Sequence, residues 1–130
     1  INFVYKDFPL NGAASILASE ASYCAQNQDK FWEYHDMLYK NWAGENTGWI
    51  TNSVLQVFAR DLGLNLEEFD SCMNNSIFHQ KVLDNEQFAM KINIDATPSF
   101  LIFGGNDVYR IVGAQPFEKF EEVFQELGSS

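Results

Sequence analysis

The chain has 130 residues, of which 46% are hydrophobic and 15% aromatic, and 18 acidic against 8 basic residues give a net charge of −10. This length and apolar content predict one domain with a sizeable core. The negative charge argues against nucleic acid or an anionic lipid surface as a partner. No apolar run approaches the roughly 20 residues that cross a bilayer. Since no basic region precedes Ile1, we expect a soluble chain with no targeting segment and no membrane span.

The first residues predict a short strand. Segment 1–8 is rich in β-branched and aromatic residues and is followed by Pro9, Asn11 and Gly12, which interrupt regular structure. From there to Ile92 the apolar residues recur at the spacing of helices rather than strands.

Five helices are predicted in this middle part, separated by short breaks and by a loop at 41–49. Their apolar stripes are Ala14, Leu17, Ala18, Ala21 and Ala25; Phe31, Tyr34, His35 and Leu38; Val54, Leu55, Phe58, Ala59 and Leu62; Phe69, Cys72 and Met73; and Phe78, Val82, Ala89 and Ile92. The predicted starts are Asp29, Thr51, Asn65 (in a capping box with Glu68) and Ser76, and Gly63 ends the third helix.

The pattern changes to that of strands after Ile94. Residues 99–103 and 108–112, joined by the turn at 104–107, predict an antiparallel hairpin. Pro116 then starts a last helix, and Gly128 is predicted as its left-handed C-cap; Ser129 and Ser130 are given no function. The fold class is α/β, with an all-helical block inserted between the first strand and the C-terminal β-hairpin.

The most informative feature is Thr97-Pro98 at the start of an apolar strand, where proline cannot donate a ladder hydrogen bond. By base rate the bond would be trans, because only about 5% of X-Pro bonds in folded proteins are cis. However, segment 97–103, its hairpin and its closing helix together resemble the C-terminal half of a thioredoxin fold. The proline equivalent to Pro98 is cis in that fold, so the resemblance reverses the expectation.

Further segments resemble the DsbA-like branch of thioredoxin-fold proteins, which are thiol–disulfide oxidoreductases. They are Val4-Tyr5-Lys6-Asp7-Phe8-Pro9-Leu10, Cys24-Ala25, Phe31-Trp32-Glu33-Tyr34-His35-Asp36, and Gly113 with Pro116-Phe117. The resemblance covers nearly the whole chain and implies a single domain, in which 1–12 and 93–128 form the thioredoxin part and 13–92 the helical insertion with its connecting helix. Two residues depart from the family's glycines before Thr-Pro: Asn93, which tolerates a left-handed C-cap, and Ala96, which leaves less room for a substrate.

Disulfide exchange normally uses a Cys-x-x-Cys motif at a helix N-terminus, where the thiolate is stabilised. The 130 residues contain only Cys24 and Cys72, so they hold neither this motif nor a cysteine-based metal site. The resemblance places the motif before Ile1, together with a strand between 3–8 and 99–103. We therefore expect an incomplete sheet, low stability at about 1–3 kcal/mol per unpaired buried group, and a preceding segment or a second chain that completes it.

The resemblance also implies roles for particular residues. Ala96, Thr97 and Pro98 would form the substrate-binding loop, with the Thr97 backbone pairing with an extended polypeptide. The Thr97 side chain would face the redox pair and donate to a thiolate, or would merely fit its strand. Cys24 and Cys72 would form a structural disulfide between inserted helices, or remain small buried thiols.

Other residues carry weaker expectations. Trp42 and Trp49, with Tyr39 nearby, would cover the helical core or hold unfolded substrate. His35 and His79 have no acid or nucleophile at a readable spacing. The pairs Glu67-Glu68 and Glu121-Glu122 read as solvated helix faces.

The leading function is therefore an extracytoplasmic thiol–disulfide oxidoreductase that acts on unfolded, cysteine-containing polypeptides, without a cofactor or metal and with an unidentified redox partner. One alternative is a redox-inactive peptide-binding or chaperone module. Another is a glutathione-using kappa-type relative, which the block at 31–36 argues against. This chain alone, without the dithiol, should be inactive.

Overall fold

The structure, a computed structural model, describes residues 1–128, and Ser129 and Ser130 lie outside the described residues. The elements are α1 (Ala13–Gln26), α2 (Phe31–Lys40), α3 (Asn52–Asp61), α4 (Leu66–Asn74), α5 (His79–Lys91), β1 (Ser99–Gly104), β2 (Asp107–Val112) and α6 (Phe117–Gly128). The five middle helices, the hairpin and the last helix are thus in the predicted order. The chain forms two compact units, Ile1–Phe88 and the part from Ala89 onward, which are described in turn.

The segment before α1 differs from the prediction, because residues 1–8 form no strand. A strand needs a hydrogen-bonded neighbour, and no described residue pairs with this backbone. The segment is held instead by its side chains. The buried Asp7 carboxylate accepts hydrogen bonds from the Tyr23 hydroxyl and, at 2.7 Å, from the Asn85 amide. The N-terminal segment is therefore fixed to α1 and α5 by a buried polar network.

The observed helix ends of the first unit can be compared with the caps that the sequence predicts. The Thr51 hydroxyl accepts from Val54 N (3.2 Å), which confirms it as the N-cap of α3. Asn65 caps α4 by accepting from Glu68 N (3.0 Å). The N–H of Asn65 donates to the side chain of Gln28, at 2.7 Å, rather than to that of Glu68, so only half of the predicted capping box forms. Gly63 follows the end of α3 at φ 75°, as predicted.

Two predicted starts were wrong for the same reason. Asp29 and Ser76 have φ angles of 58° and 50° and end the preceding helices. The N–H of Lys30 donates to Ala25 O (3.0 Å), and that of Ile77 donates to Cys72 O (3.2 Å), so both residues lie in left-handed C-terminal turns. A small polar residue fits a left-handed C-terminal turn as well as an N-cap, and the sequence alone does not separate the two.

The core of the first unit lies between α1, α2, α3 and α4. Its largest fully buried side chains include Tyr34, Leu55 and Phe69. The Tyr34 hydroxyl donates to Leu55 O at 2.8 Å, which satisfies the one polar group on this ring. Burial raises the pKa of Tyr34 above its ordinary value.

The second unit consists of the end of α5, the β1–β2 hairpin and α6. The hairpin is antiparallel, as predicted, with Phe100 opposite Ile111. Each strand is one residue longer than predicted, because Gly104 and Asp107 pair around a two-residue loop. Phe100 packs edge-on against Phe120 of α6, with ring centroids 4.9 Å apart. These contacts place α6 against one face of the hairpin.

The bounds of α6 correct two details. The helix begins at Phe117, one residue after the predicted Pro116, and Lys119 N donates to Pro116 O (3.0 Å). Gly128 is its last residue and does not have a left-handed φ, so it is not the predicted C-cap. Of the phenylalanines of α6, Phe120 packs on the hairpin, whereas Phe117 is 66% exposed.

Candidate active-site loop

The candidate site is the loop 92–98, which joins α5 to β1 within the second unit. Asn93 has φ 60°, and Ile94 N donates back to Ala89 O (2.8 Å), so α5 ends in a left-handed turn. Asn93 thus adopts the conformation expected where the family has glycine. The Arg110 guanidinium of β2 donates to Ile92 O (2.5 Å) and Asn93 O (3.3 Å) and fixes the start of the loop on the hairpin.

The second half of the loop is held by two further hydrogen bonds. The Ser99 hydroxyl donates to Ala96 O at 2.7 Å. The Gly113 N–H donates to Pro98 O at 2.8 Å. The Thr97–Pro98 peptide bond is cis. The backbone is therefore fixed on both sides of Thr97.

The backbone N–H and C=O of Thr97 are accessible for hydrogen bonding. Thr97 and Pro98 are exposed and Ala96 is half-buried. Among the described residues, the backbone N–H and C=O of Thr97 have no hydrogen-bond partner. An exposed, rigidly held backbone with a free donor and acceptor is a place where an extended polypeptide can add as a strand.

The two cysteines belong to the first unit and do not form part of this loop. Cys24 of α1 and Cys72 of α4 are joined by a disulfide, with their Cα atoms 5.9 Å apart. Their exposed fractions are 2% and 8%. Both cysteines of the chain are thus used in the helical core, and neither is a free thiol.

A set of aromatic side chains on α2 and the N-terminal segment was not predicted from the sequence; Phe3, Trp32 and Tyr39 are exposed, and the other two are half-buried. We call Phe3, Tyr5, Trp32, His35 and Tyr39 the aromatic cluster. Neighbouring rings lie 4.8–5.9 Å apart. Burial, and then interaction with the Tyr39 hydroxyl, raises the pKa of Tyr5. The sequence contains the pattern, as aromatic residues at alternate positions 3 and 5 and at helical spacing along α2. It does not show that the N-terminal segment and α2 lie together, as they do in the structure.

Comparison with known proteins places this chain in a family. The sequence pattern of the family described as Thioredoxin matches residues 1–125. The chain belongs to the thioredoxin family. It is 28% identical over 109 residues to a Bacillus cereus protein named probable disulfide bond formation protein D, a match that covers 80% of this chain and 50% of that protein. Disulfide bond formation protein D of Bacillus subtilis is 24% identical over 105 residues, with 78% and 47% covered.

The fold is shared with a solved structure as well. A thioredoxin-like oxidoreductase from Silicibacter pomeroyi superimposes with a TM-score of 0.74 at 20% identity, over 98% of this chain and 68% of that one. The predicted thioredoxin-like fold and the resemblance to DsbA-like thiol–disulfide oxidoreductases are thereby confirmed. This member of the thioredoxin family spans about half the length of the disulfide bond formation proteins it matches.

Each of the two histidines of this thioredoxin-family chain lies beside a carboxylate. His79 Nδ1 lies 3.4 Å from Oε2 of the buried Glu20, and His35 Nδ1 lies 3.0 Å from Asp36 Oδ1. No group of three potential metal ligands occurs among residues 1–128. In the same part of the chain, no helix has both the length and the apolar content needed to cross a membrane.

The tryptophans flanking the loop at 41–49 differ from each other. Trp49 is half-buried against Phe58, and its indole N–H donates to Gly44 O (3.0 Å), so it covers the core as expected. Trp42 is 62% exposed and Tyr39 65% exposed. Trp42, unlike Trp49, therefore lies mostly at the surface of this family member.

Proposed function

We propose that this chain is the polypeptide-binding part of an extracytoplasmic thiol–disulfide oxidoreductase that acts on unfolded, cysteine-containing polypeptides. The observation that carries the proposal is the Thr97 backbone, exposed and unpartnered among the described residues between two fixed peptide units. Strand addition at this backbone recognises main chain and tolerates many side chains, as a general folding enzyme requires.

The redox pair of such an enzyme would not be Cys24 and Cys72. They are bonded to each other in the core at 2% and 8% exposure, whereas an exchanging sulfur has to be reached by a substrate thiolate. The proposal assigns the exchange to a Cys-x-x-Cys pair supplied by a further segment or a second chain. A substrate thiolate would attack one sulfur of that pair's disulfide, and the other sulfur would leave as a thiolate. The Cys24–Cys72 bond is proposed as structural.

The segment or second chain that supplies the Cys-x-x-Cys pair would also supply a strand that extends the β1–β2 sheet. The N-terminal segment exposes Ile1, Phe3 and Val4 at 102%, 64% and 72%, which is much apolar surface for a segment of strand-forming residues. Pairing with a neighbouring strand would give this backbone the hydrogen bonds that no described residue provides. In the domain organisation that we propose, residues 1–12 and 93–128 would then belong to the thioredoxin part.

We propose a location outside the cytoplasm on chemical grounds. Structural disulfides persist in oxidising compartments, and the relatives named disulfide bond formation proteins would act where such bonds form.

A second candidate is a redox-inactive binding module. It is favoured by the absence of Cys-x-x-Cys from the 130 residues and by the use of both cysteines in one buried bond. Both candidates use the Thr97 loop for binding, and they differ in whether a dithiol accompanies it.

Activity of the protein expressed from the complete reading frame tests the two candidates. We expect a Cys-x-x-Cys motif in that reading frame, oxidation of reduced ribonuclease, and loss of activity when either motif cysteine is replaced by alanine. The Cys24→Ala, Cys72→Ala double variant is the matched control and should keep its activity under conditions where it is folded. Binding of unfolded polypeptide without any oxidation would exclude the oxidoreductase and favour the redox-inactive binding module.

A further inference from the structure

The Ser99 side chain contacts the peptide unit that contains the Thr97 N–H. The Ala96 carbonyl and the Thr97 N–H belong to one planar peptide unit. This unit is trans, since Thr97–Pro98 is the one cis bond among residues 1–128, so its C=O and N–H point in opposite directions. A contact that fixes the carbonyl oxygen therefore fixes the direction of the N–H.

The Ser99 hydroxyl makes that contact. It donates to Ala96 O at 2.7 Å from a half-buried position at the start of β1. Among residues 1–128, this is the hydrogen bond that Ala96 O accepts. The other hydrogen bonds that hold the loop are those from Arg110 to Ile92 O and Asn93 O and from the Gly113 N–H to Pro98 O. They hold peptide units other than the one between Ala96 and Thr97.

We propose that Ser99 is a positioning residue for substrate binding, which holds the Ala96–Thr97 peptide plane so that the Thr97 N–H points toward an incoming polypeptide strand. The inference rests on the proposed function and adds a residue to it. Ser99 does not touch the substrate. It removes the freedom of this peptide plane to rotate, so that less ordering is needed when a substrate carbonyl binds.

Three variants of the full chain separate this role from a general effect on folding. Ser99→Ala deletes the hydroxyl, and Ser99→Thr keeps a hydroxyl that can make the same bond and suits a strand. Ser22→Ala is the matched control, because the Ser22 hydroxyl also donates to a backbone carbonyl, Ala18 O at 3.1 Å, but lies in α1 of the first unit.

The probe is fluorescein-labelled, reduced and carboxymethylated α-lactalbumin, a permanently unfolded polypeptide, and the readout is fluorescence anisotropy. One hydrogen bond lost from the loop should weaken binding by Ser99→Ala about fivefold. Ser99→Thr should bind within about twofold of the wild type by the same reasoning, and Ser22→Ala should bind as the wild type does. The ¹⁵N–¹H residual dipolar coupling of Thr97 should change in Ser99→Ala alone, which reports the direction of the N–H independently of binding.

The outcomes distinguish two failures. If the wild type binds and Ser99→Ala binds equally well with an unchanged Thr97 coupling, the role of Ser99 is refuted and the proposed function stands. Equal losses in Ser99→Ala and Ser99→Thr would also refute it, since the hydroxyl would not be the cause. If the wild type does not bind the probe at all, the proposed function and the inference fall together.

Discussion

Replacing both cysteines by alanine should destabilise the first unit by an amount set mainly by loop closure. The Cys24–Cys72 bond joins α1 to α4 across a sequence separation of 48 residues. Cross-linking over this distance lowers the entropy of the unfolded chain by an amount equivalent to about 4 kcal/mol. We therefore expect the free energy of unfolding to fall by about 4 kcal/mol in the Cys24→Ala, Cys72→Ala variant.

The assay is urea-induced unfolding followed by tryptophan fluorescence, with the two single variants as controls. Each single variant loses the same covalent bond, so its destabilisation should be close to that of the double variant rather than half of it. An unchanged midpoint in the double variant would refute the reasoning, and so would single-variant effects that simply add.

The burial of the bond gives a kinetic test of the same account. Because Cys24 is 2% exposed, a thiol reductant cannot reach its sulfur until the helical core opens. Reduction without urea should therefore be slow and should accelerate when urea is added. Alkylation of two free thiols in an oxidised, folded preparation would show that the bond is absent.

Two further predictions concern buried polar groups. Burial raises the pKa of Tyr34 above its ordinary value of 10.0, so the folded state favours the neutral phenol; this contribution to stability is complete below pH 10 and is lost as the pH rises through the folded pKa. The Tyr34→Phe variant should therefore show a smaller decline in the free energy of unfolding above pH 10, measured by urea unfolding at several pH values. An identical decline in the variant and the wild type would contradict this role of Tyr34. Asp7→Ala should lower the free energy of unfolding by about 3 kcal/mol, because Tyr23 and Asn85 would lose their shared acceptor. Asp7→Asn keeps an acceptor and should lower it by less. Equal free energies of unfolding for the two variants would contradict the network.

Local signals in the sequence were sufficient for much of the fold. Thr51 and Gly63 bound α3 because capping depends on residues within one turn. The hairpin followed from the turn residues 104–107 between two apolar runs, and in the structure a two-residue loop with left-handed Gly105 sets the register. These elements depend on few distant contacts.

Features that depend on distant parts of the chain were not predictable in the same way. Residues 1–8 have the composition of a strand, but strand formation depends on a neighbour that composition does not specify. The Asp7 network joins residues 78 positions apart in the chain, and no local spacing indicates it. The aromatic cluster likewise needs α2 and the N-terminal segment to meet.

The candidate site was found through family resemblance rather than through chemistry. Thr97-Pro98 contains no ionisable or nucleophilic pair, so no catalytic pattern pointed to it. The availability of the Thr97 backbone and the bond from Ser99 to Ala96 O are properties of loop geometry, which residue types alone do not determine. The sequence therefore indicated where the site lies, and the structure indicated how it is held.

The most direct test of the central claim is to remove the Thr97 N–H itself. Semisynthesis can replace the Ala96–Thr97 amide by an ester, which deletes the donor and keeps the side chain. The measurement is affinity for carboxymethylated α-lactalbumin, and we predict binding about fivefold to tenfold weaker than that of the amide protein, as expected for one lost hydrogen bond. Equal affinity of the ester and amide proteins would contradict the claim that this backbone binds the polypeptide.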